Sequence, residues 1–141
     1  MRIMAVDYGD ARTGIAVSDS SAILAGEAWV LTEKDARAVA RKIADEAVAR
    51  GVGSIVVGHP KNMNGSVGPR AEKSEQLAEI IRGICDIEVV LWDERMTTLS
   101  ANRILTEAGR FRKKRKETVD AVAASLILDS YLSYLSASQN H

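Results

Sequence analysis

Apolar and polar residues change their spacing several times along this chain, and each change marks an element. Ile3-Met4-Ala5-Val6 is a short apolar run that stops at Asp7. After a glycine-containing turn, Thr13-Gly14-Ile15-Ala16-Val17-Ser18 returns, so residues 3–7 and 13–18 predict an antiparallel strand pair. A weaker third strand is expected over 25–31. From Thr32 the period lengthens. Thr32 with Asp35 predicts a capping box, Ala36, Val39, Ala40, Ile43 and Ala47 recur at helical spacing, and Gly51 ends the helix. SIVVG, 54–58, is continuously apolar, as a strand covered on both faces should be.

The second half continues the alternation. HPKNMNGSVGPR, 59–70, is a polar loop holding both prolines, and Pro69 suits the first turn of a helix with Leu77, Ile80, Ile81 and Ile84 on its apolar face. IEVVLWDE, 87–94, predicts a strand ending in acids. TTLSANRILTEAG, 97–109, predicts a helix capped by Thr97 or Thr98, and 117–136 a last helix rich in alanine and leucine. The order β-β-β-α-β-α-β-α-α predicts an α/β fold, a mixed five-stranded sheet with helices on its faces. One domain is expected over 1–136, with 137–141 a frayed tail.

Composition narrows the function classes. At 141 residues, about 70% of the unfolded chain's surface can be buried without disulfide staples. The single cysteine, Cys85, excludes an internal disulfide framework and reads as a buried, inert thiol among Ile81, Ile84 and Ile87. No apolar run approaches the roughly 18–20 residues of a membrane span, and the apolar stretch after Arg2 is too short for a signal peptide. A soluble cytoplasmic protein is expected. With 19 basic and 19 acidic residues, net charge predicts no polyanionic partner. Distribution changes that picture: RFRKKRK, 110–116, has six positive charges in seven positions. Such a block is either a solvated loop or a phosphate-binding one.

Three carboxylates stand where packing would not put them. Asp7 and Glu94 end strands, and Asp120 lies in the first turn of the last helix between Val119 and Ala121. Singly, each has an ordinary reading as a turn residue or a helix-dipole partner. If the first strand is central and the Glu94 strand runs parallel near it, all three meet at one sheet edge. Like charges that close call for a cation, and an oxygen-rich set suits Mg²⁺ or Mn²⁺. Such ions activate water and stabilise the leaving oxygen in phosphodiester hydrolysis, which needs neither a histidine nor a cysteine nucleophile. Asp93 competes with Glu94, since neighbours on a strand face opposite ways.

Four stretches together, DYGDARTGIAVSD, VGHPKNMNGSVGPRAE, WDERMTT and KKRKETVDAVAA, resemble the YqgF/RuvX family, described as Holliday junction resolvases and pre-16S rRNA processing nucleases. The resemblance runs from residue 3 to about 132. It implies a ribonuclease H-like fold and a divalent-metal-dependent endonuclease, with Asp7, Glu94 and Asp120 as catalytic and metal-holding acids. It thereby prefers Glu94 to Asp93. Arg12 and Arg95 occupy motif positions from which a guanidinium can grip phosphate or orient the acids. Their ordinary alternative is a structural ion pair. Where the chain has His59 and Lys61 the family usually shows apolar residues, and where it has Asn64, an acid. Arg112, Lys113, Lys114, Arg115 and Lys116, just before Asp120, and Arg70, opening a helix after the polar loop, complete the expected nucleic-acid contacts.

The expected partner is structured RNA, most of all the 5′ end of precursor 16S rRNA in ribosome biogenesis, with branched DNA as the alternative. A resolvase cutting two strands symmetrically calls for a dimer; the chain carries no heptad, so a monomer or weak homodimer is expected. Two other classes compete. The opening Asp-x-Gly hairpin also resembles that of actin-like ATPases and sugar kinases, which need a second such domain. A non-catalytic nucleic-acid-binding scaffold would have no use for three acids.

Overall fold

The computed structural model describes residues 1–22, 25–97 and 116–139. In chain order the elements are β1 (Arg2–Asp7), β2 (Thr13–Ser18), β3 (Ala25–Leu31), α1 (Ala36–Ala49), β4 (Val52–His59), α2 (Pro69–Ile84), β5 (Glu88–Asp93), a 3₁₀ turn (Glu94–Thr97) and α3 (Lys116–Gln139). The sheet order is β3-β2-β1-β4-β5. β1 pairs antiparallel with β2 and parallel with β4, β2 pairs antiparallel with β3, and β4 pairs parallel with β5. The most apolar strands, β1 and β4, lie side by side inside the sheet, because a strand buried on both faces has no place for polar side chains.

Strand alternation sorts side chains into two cores. Met4, Val6, Ile15, Val17, Ile55, Val57 and Val89 face α1 and α2, where Val39, Ile43, Leu77 and Ile81 meet them. The opposite face presents Ile3, Ala5, Ala16 and Val56 to Ala124, Ile127, Leu128, Tyr131 and Leu132 of α3. Alanines on that face let α3 lie close to the central strands. Its outer half is anchored to β5 by aromatic packing: the Trp92 and Tyr131 rings stand edge to face with centroids 5.3 Å apart, and Trp92 Nε1 donates to Ser130 Oγ at 3.2 Å. The expected mixed sheet with helices on both faces is present.

Boundaries differ in instructive ways. Asp35, not Thr32, caps α1, its carboxylate accepting from Ala38 N at 3.0 Å. The box fails because the chain enters the helix three residues later, which puts Asp35 itself at the cap. Glu94 lies just past β5, in the 3₁₀ turn, and Asp120 is the fifth residue of α3, just beyond its first turn. Cys85 is half-buried at the C-cap of α2, its Sγ 3.6 Å from Ile81 O, because the helix stops at Ile84. Helix continues through Gln139, so the first three residues of the expected tail are helical. The helix expected over 97–109 lies outside the described residues apart from Thr97, which closes the 3₁₀ turn, and so do residues 110–115 of the basic block.

Candidate active site

On β1 the odd residues Ile3 and Ala5 face α3, so Asp7, next in that row, faces α3 at the strand's C-terminal end. On β5, Val90 and Trp92 share that face, and Glu94 continues their row beyond the strand. β4 separates the two acids, and its residue at that level is Gly58, which follows Val57, the partner of Val6. A Cβ on Gly58 would stand 2.8 Å from Glu94 Oε2 and 2.7 Å from Ile127 Cδ1. The missing side chain is therefore the space the Glu94 carboxylate occupies. On the other side of Asp7, its register partner is Gly14. A Cβ there would meet the Asp120 carbonyl oxygen at 2.1 Å, so Gly14 is what lets α3 bring Asp120 over the sheet. Glycine inside a strand signals such close approach. Both positions were open to that reading in the sequence, and neither was among its expected site residues.

The electrostatics agree with this convergence. Burial, then repulsion from Asp120, pushes the Asp7 carboxyl from 3.8 up to about 6, with Arg70 pulling the other way. Burial, then the charge of Asp7, pushes Glu94 from 4.5 up to about 7, again opposed by Arg70. Each acid thus feels another, and Arg70 is the cation that both feel.

Asp120 takes its cation from Arg12, whose Nε lies 3.0 Å from Asp120 Oδ2. That buried oxygen has no hydrogen-bond donor among the described residues. Among the described residues no three acidic, histidine or cysteine side chains are gathered tightly enough to hold a metal ion as they stand. What fits a hard divalent cation is the all-carboxylate donor set, the mutual repulsion and the orphaned Asp120 oxygen. Loading the site would require the acids to draw together, with Asp120 easing off Arg12.

The other expected contacts divide. Arg70 stands beside the acids, as its effect on both shows. Arg95 is turned away into structure. It grips Asp93 with Nε at 3.0 Å to both carboxylate oxygens and Nη2 at 2.6 Å to Oδ2, and its Nη1 donates to Met63 O at 3.3 Å. Asp93, the rival of Glu94, thus holds the arginine that ties the 60–68 loop to the end of β5. Arg95→Lys keeps the charge and loses the planar grip. Because water screens the pair, only a small loss of stability is expected, together with faster amide exchange at Gly65 and Ser66. Unchanged protection there would show that the loop needs no such tie. Lys116 opens α3, while Arg112, Lys113, Lys114 and Arg115 lie outside the described residues.

His59 departs from the apolar residue usual at this position in the family. It is buried at the end of β4, with Nε2 2.9 Å from Glu75 Oε2. That contact joins β4 to α2 on the face opposite the acids.

Comparison with known proteins follows the same lines. The family model described as "RuvX: Holliday junction resolvase" matches residues 1–134. A protein of Halothermothrix orenii named "Putative pre-16S rRNA nuclease" is 45% identical over 134 residues, 95% of this chain and 96% of its own length. A relative of the same name from Agathobacter rectalis is 40% identical over 143 residues, covering 99% of this chain and all of its own. Among solved structures, Thermus thermophilus RuvC in complex with a Holliday junction substrate superposes with a TM-score of 0.68 at 10% identity, over 97% of this chain and 96% of that one. The fowlpox virus resolvase with Holliday junction DNA gives 0.59 at 14% identity, over 96% and 99%. These structural likenesses establish the fold alone. With a family model spanning nearly the whole chain and relatives of matching length at 40–45% identity, the chain belongs to the RuvX family and is a nuclease built on the ribonuclease H-like fold.

Proposed function

We propose that the chain is a divalent-metal-dependent endonuclease that processes the 5′ end of precursor 16S rRNA, with Asp7, Glu94 and Asp120 as its catalytic acids. The observation that carries this reading is the pair of in-strand glycines beside Asp7, Gly14 and Gly58, whose open space is filled by the Asp120 backbone and the Glu94 carboxylate. Packing alone gives no reason to crowd acids where burial and mutual repulsion raise their pKa values. The relatives' shared name directs the choice of RNA.

Asp7, Glu94 and Asp120 would hold Mg²⁺ or Mn²⁺. When bound, such ions supply a water activated at neutral pH and charge stabilisation on the leaving oxygen. The chain's own residues do the rest. Asp7 ends β1 and Glu94 follows directly on β5, so the sheet positions both acids beside the attacked phosphate. Arg70, near both, offsets their charge and offers a guanidinium to the incoming phosphodiester. Arg12 holds the Asp120 carboxylate in place until the acids draw together. Arg112, Lys113, Lys114, Arg115 and Lys116 lead the backbone of the substrate toward Asp120. Cytoplasmic work on pre-rRNA accords with the absence, among the described residues, of a helix long and apolar enough to cross a membrane.

The second reading is cleavage of branched DNA, favoured by the likeness to RuvC and the fowlpox resolvase, both solved with Holliday junctions. End-labelled precursor 16S rRNA fragments and a synthetic four-way DNA junction, incubated side by side with Mg²⁺ or Mn²⁺, separate the two. Cutting of the RNA near its 5′ processing site, lost in Asp7→Asn, is expected. Cutting of the junction alone would install the second reading, and RNA binding without cleavage of either would leave a scaffold.

A further inference from the structure

Beside the acids, on the α2 side of the β1 end, Tyr8, Gly9, Asp10, Arg70 and Lys73 line a cavity of about 260 Å³. This is smaller than the roughly 300–1,000 Å³ of pockets for drug-sized ligands, a size that suits a sugar-phosphate unit. Its chemistry is cationic at one wall. The Arg70 guanidinium has no hydrogen bond or ion pair among the described residues, and Lys73 Nζ is held by Asp10 Oδ1 at 2.9 Å. Tyr8 supplies a ring packed against the α1–α2 core. The turn that forms the floor is tight, since a Cβ on Gly9 would lie 2.3 Å from Arg12 O. Tyr8 directly follows Asp7, the last residue of β1, and packs on the α1–α2 side, so the cavity and the acids lie on opposite sides of one strand end and share Arg70.

We infer that this cavity is a backbone subsite for the substrate, in which Arg70 and Lys73 together hold the phosphate next to the one being cleaved. Asp10 is its stand-in occupant. In the free protein its carboxylate takes the place on Lys73 that a phosphate oxygen takes on binding. An exchange of anions at an exposed pair costs little, because water screens a surface ion pair. A phosphate between two cations gains from both, and a guanidinium can meet two of its oxygens at once. The subsite reads no base and is indifferent to sequence. It extends the proposed nuclease reading and rests on it.

The test is binding without cleavage. Affinity of a fluorescein-labelled single-stranded oligouridylate is measured across a salt series, without divalent metal, for wild type, Lys73→Gln, Asp10→Asn and Lys42→Gln. Lys42, on α1, is ion-paired with Glu33 at 3.3 Å outside the cavity and serves as the control. Lys73→Gln is expected to weaken binding several-fold and to lower the salt slope by about one phosphate's worth, about 0.7 for a single strand. Asp10→Asn is expected to tighten binding several-fold by freeing Lys73. If Lys73→Gln and Asp10→Asn behave like Lys42→Gln while wild type binds, the cavity is no phosphate subsite, whatever the fate of the nuclease reading. If wild type does not bind the oligouridylate at any salt, the subsite inference fails, while the nuclease reading is decided separately by the metal-dependent cleavage test. Both changes keep residues outside the three acids, so circular dichroism and Tm for each variant should match wild type.

Discussion

Asp7→Asn is expected to abolish cleavage, by on the order of 10³-fold or more, while making the metal-free protein less sensitive to alkaline pH. The two effects have one cause. Asp7 is a carboxylate that the fold buries and crowds with Asp120, so its pKa rises from 3.8 to about 6. A raised acid pKa means that the folded state holds the proton more tightly than the unfolded chain. The corresponding stability is present below pH ~4 and is lost as pH climbs through about 6. Asparagine carries no such penalty. The stability of Asp7→Asn relative to wild type should therefore grow by about 2–3 kcal/mol between pH 4 and pH 8, read from urea melts at each pH without metal. Millimolar Mn²⁺ or Mg²⁺ should raise the wild-type Tm at pH 8 and leave the variant's nearly unchanged. A parallel pH course for the two proteins would show that Asp7 is not strained in the fold. An equal metal response would place the cation elsewhere.

The second large effect concerns the glycines that frame Asp7, and it separates folding from function. Gly14→Ala would place a Cβ 2.1 Å from the Asp120 carbonyl oxygen and 2.7 Å from its carbon. Backbone cannot swing aside, so α3 must lift off β2, at a cost of about 1–3 kcal/mol or more. Activity should fall with it, because Asp120 moves. Gly58→Ala meets only side-chain ends, Ile127 Cδ1 at 2.7 Å and the Glu94 carboxylate from 2.8 Å. Those can shift. A smaller loss of stability is expected, with cleavage down about 10²-fold as Glu94 leaves its place by an ångström or so. Denaturant melts alongside cleavage rates check both. Should Gly58→Ala cleave at the wild-type rate, Glu94 does not act from the position it holds over β4.

Much of this architecture was readable along the chain, for local reasons. Apolar runs gave β1, β2 and β4 to within two residues at either end, and β3 fell where its weak pattern put it. Pro69 opened α2 as its fixed φ and missing N–H require. Errors gathered at caps. Thr32 and Asp35 both satisfy the chemistry of an N-cap, and only the path of the chain from β3 chooses Asp35. Arg12 and Arg95 illustrate the same limit at the site. A guanidinium fits a phosphate and a carboxylate equally well, and the nearest carboxylate, Asp120 for one and Asp93 for the other, is a matter of tertiary position.

What the residues determined alone, among the described ones, is the inventory: which segments form strands and helices, and that acids stand at or near their ends. Period and propensity act over a few neighbours, so they can be read without knowing the fold. Only the tertiary structure decided that β1 lies between β2 and β4, and that α3 crosses the face to which Asp7 points. It also decided that two glycines on the strands flanking β1 leave room for Glu94 and Asp120. Those outcomes depend on contacts between residues as far apart as Gly14 and Asp120, and such contacts are set by how whole layers pack, which no local pattern encodes.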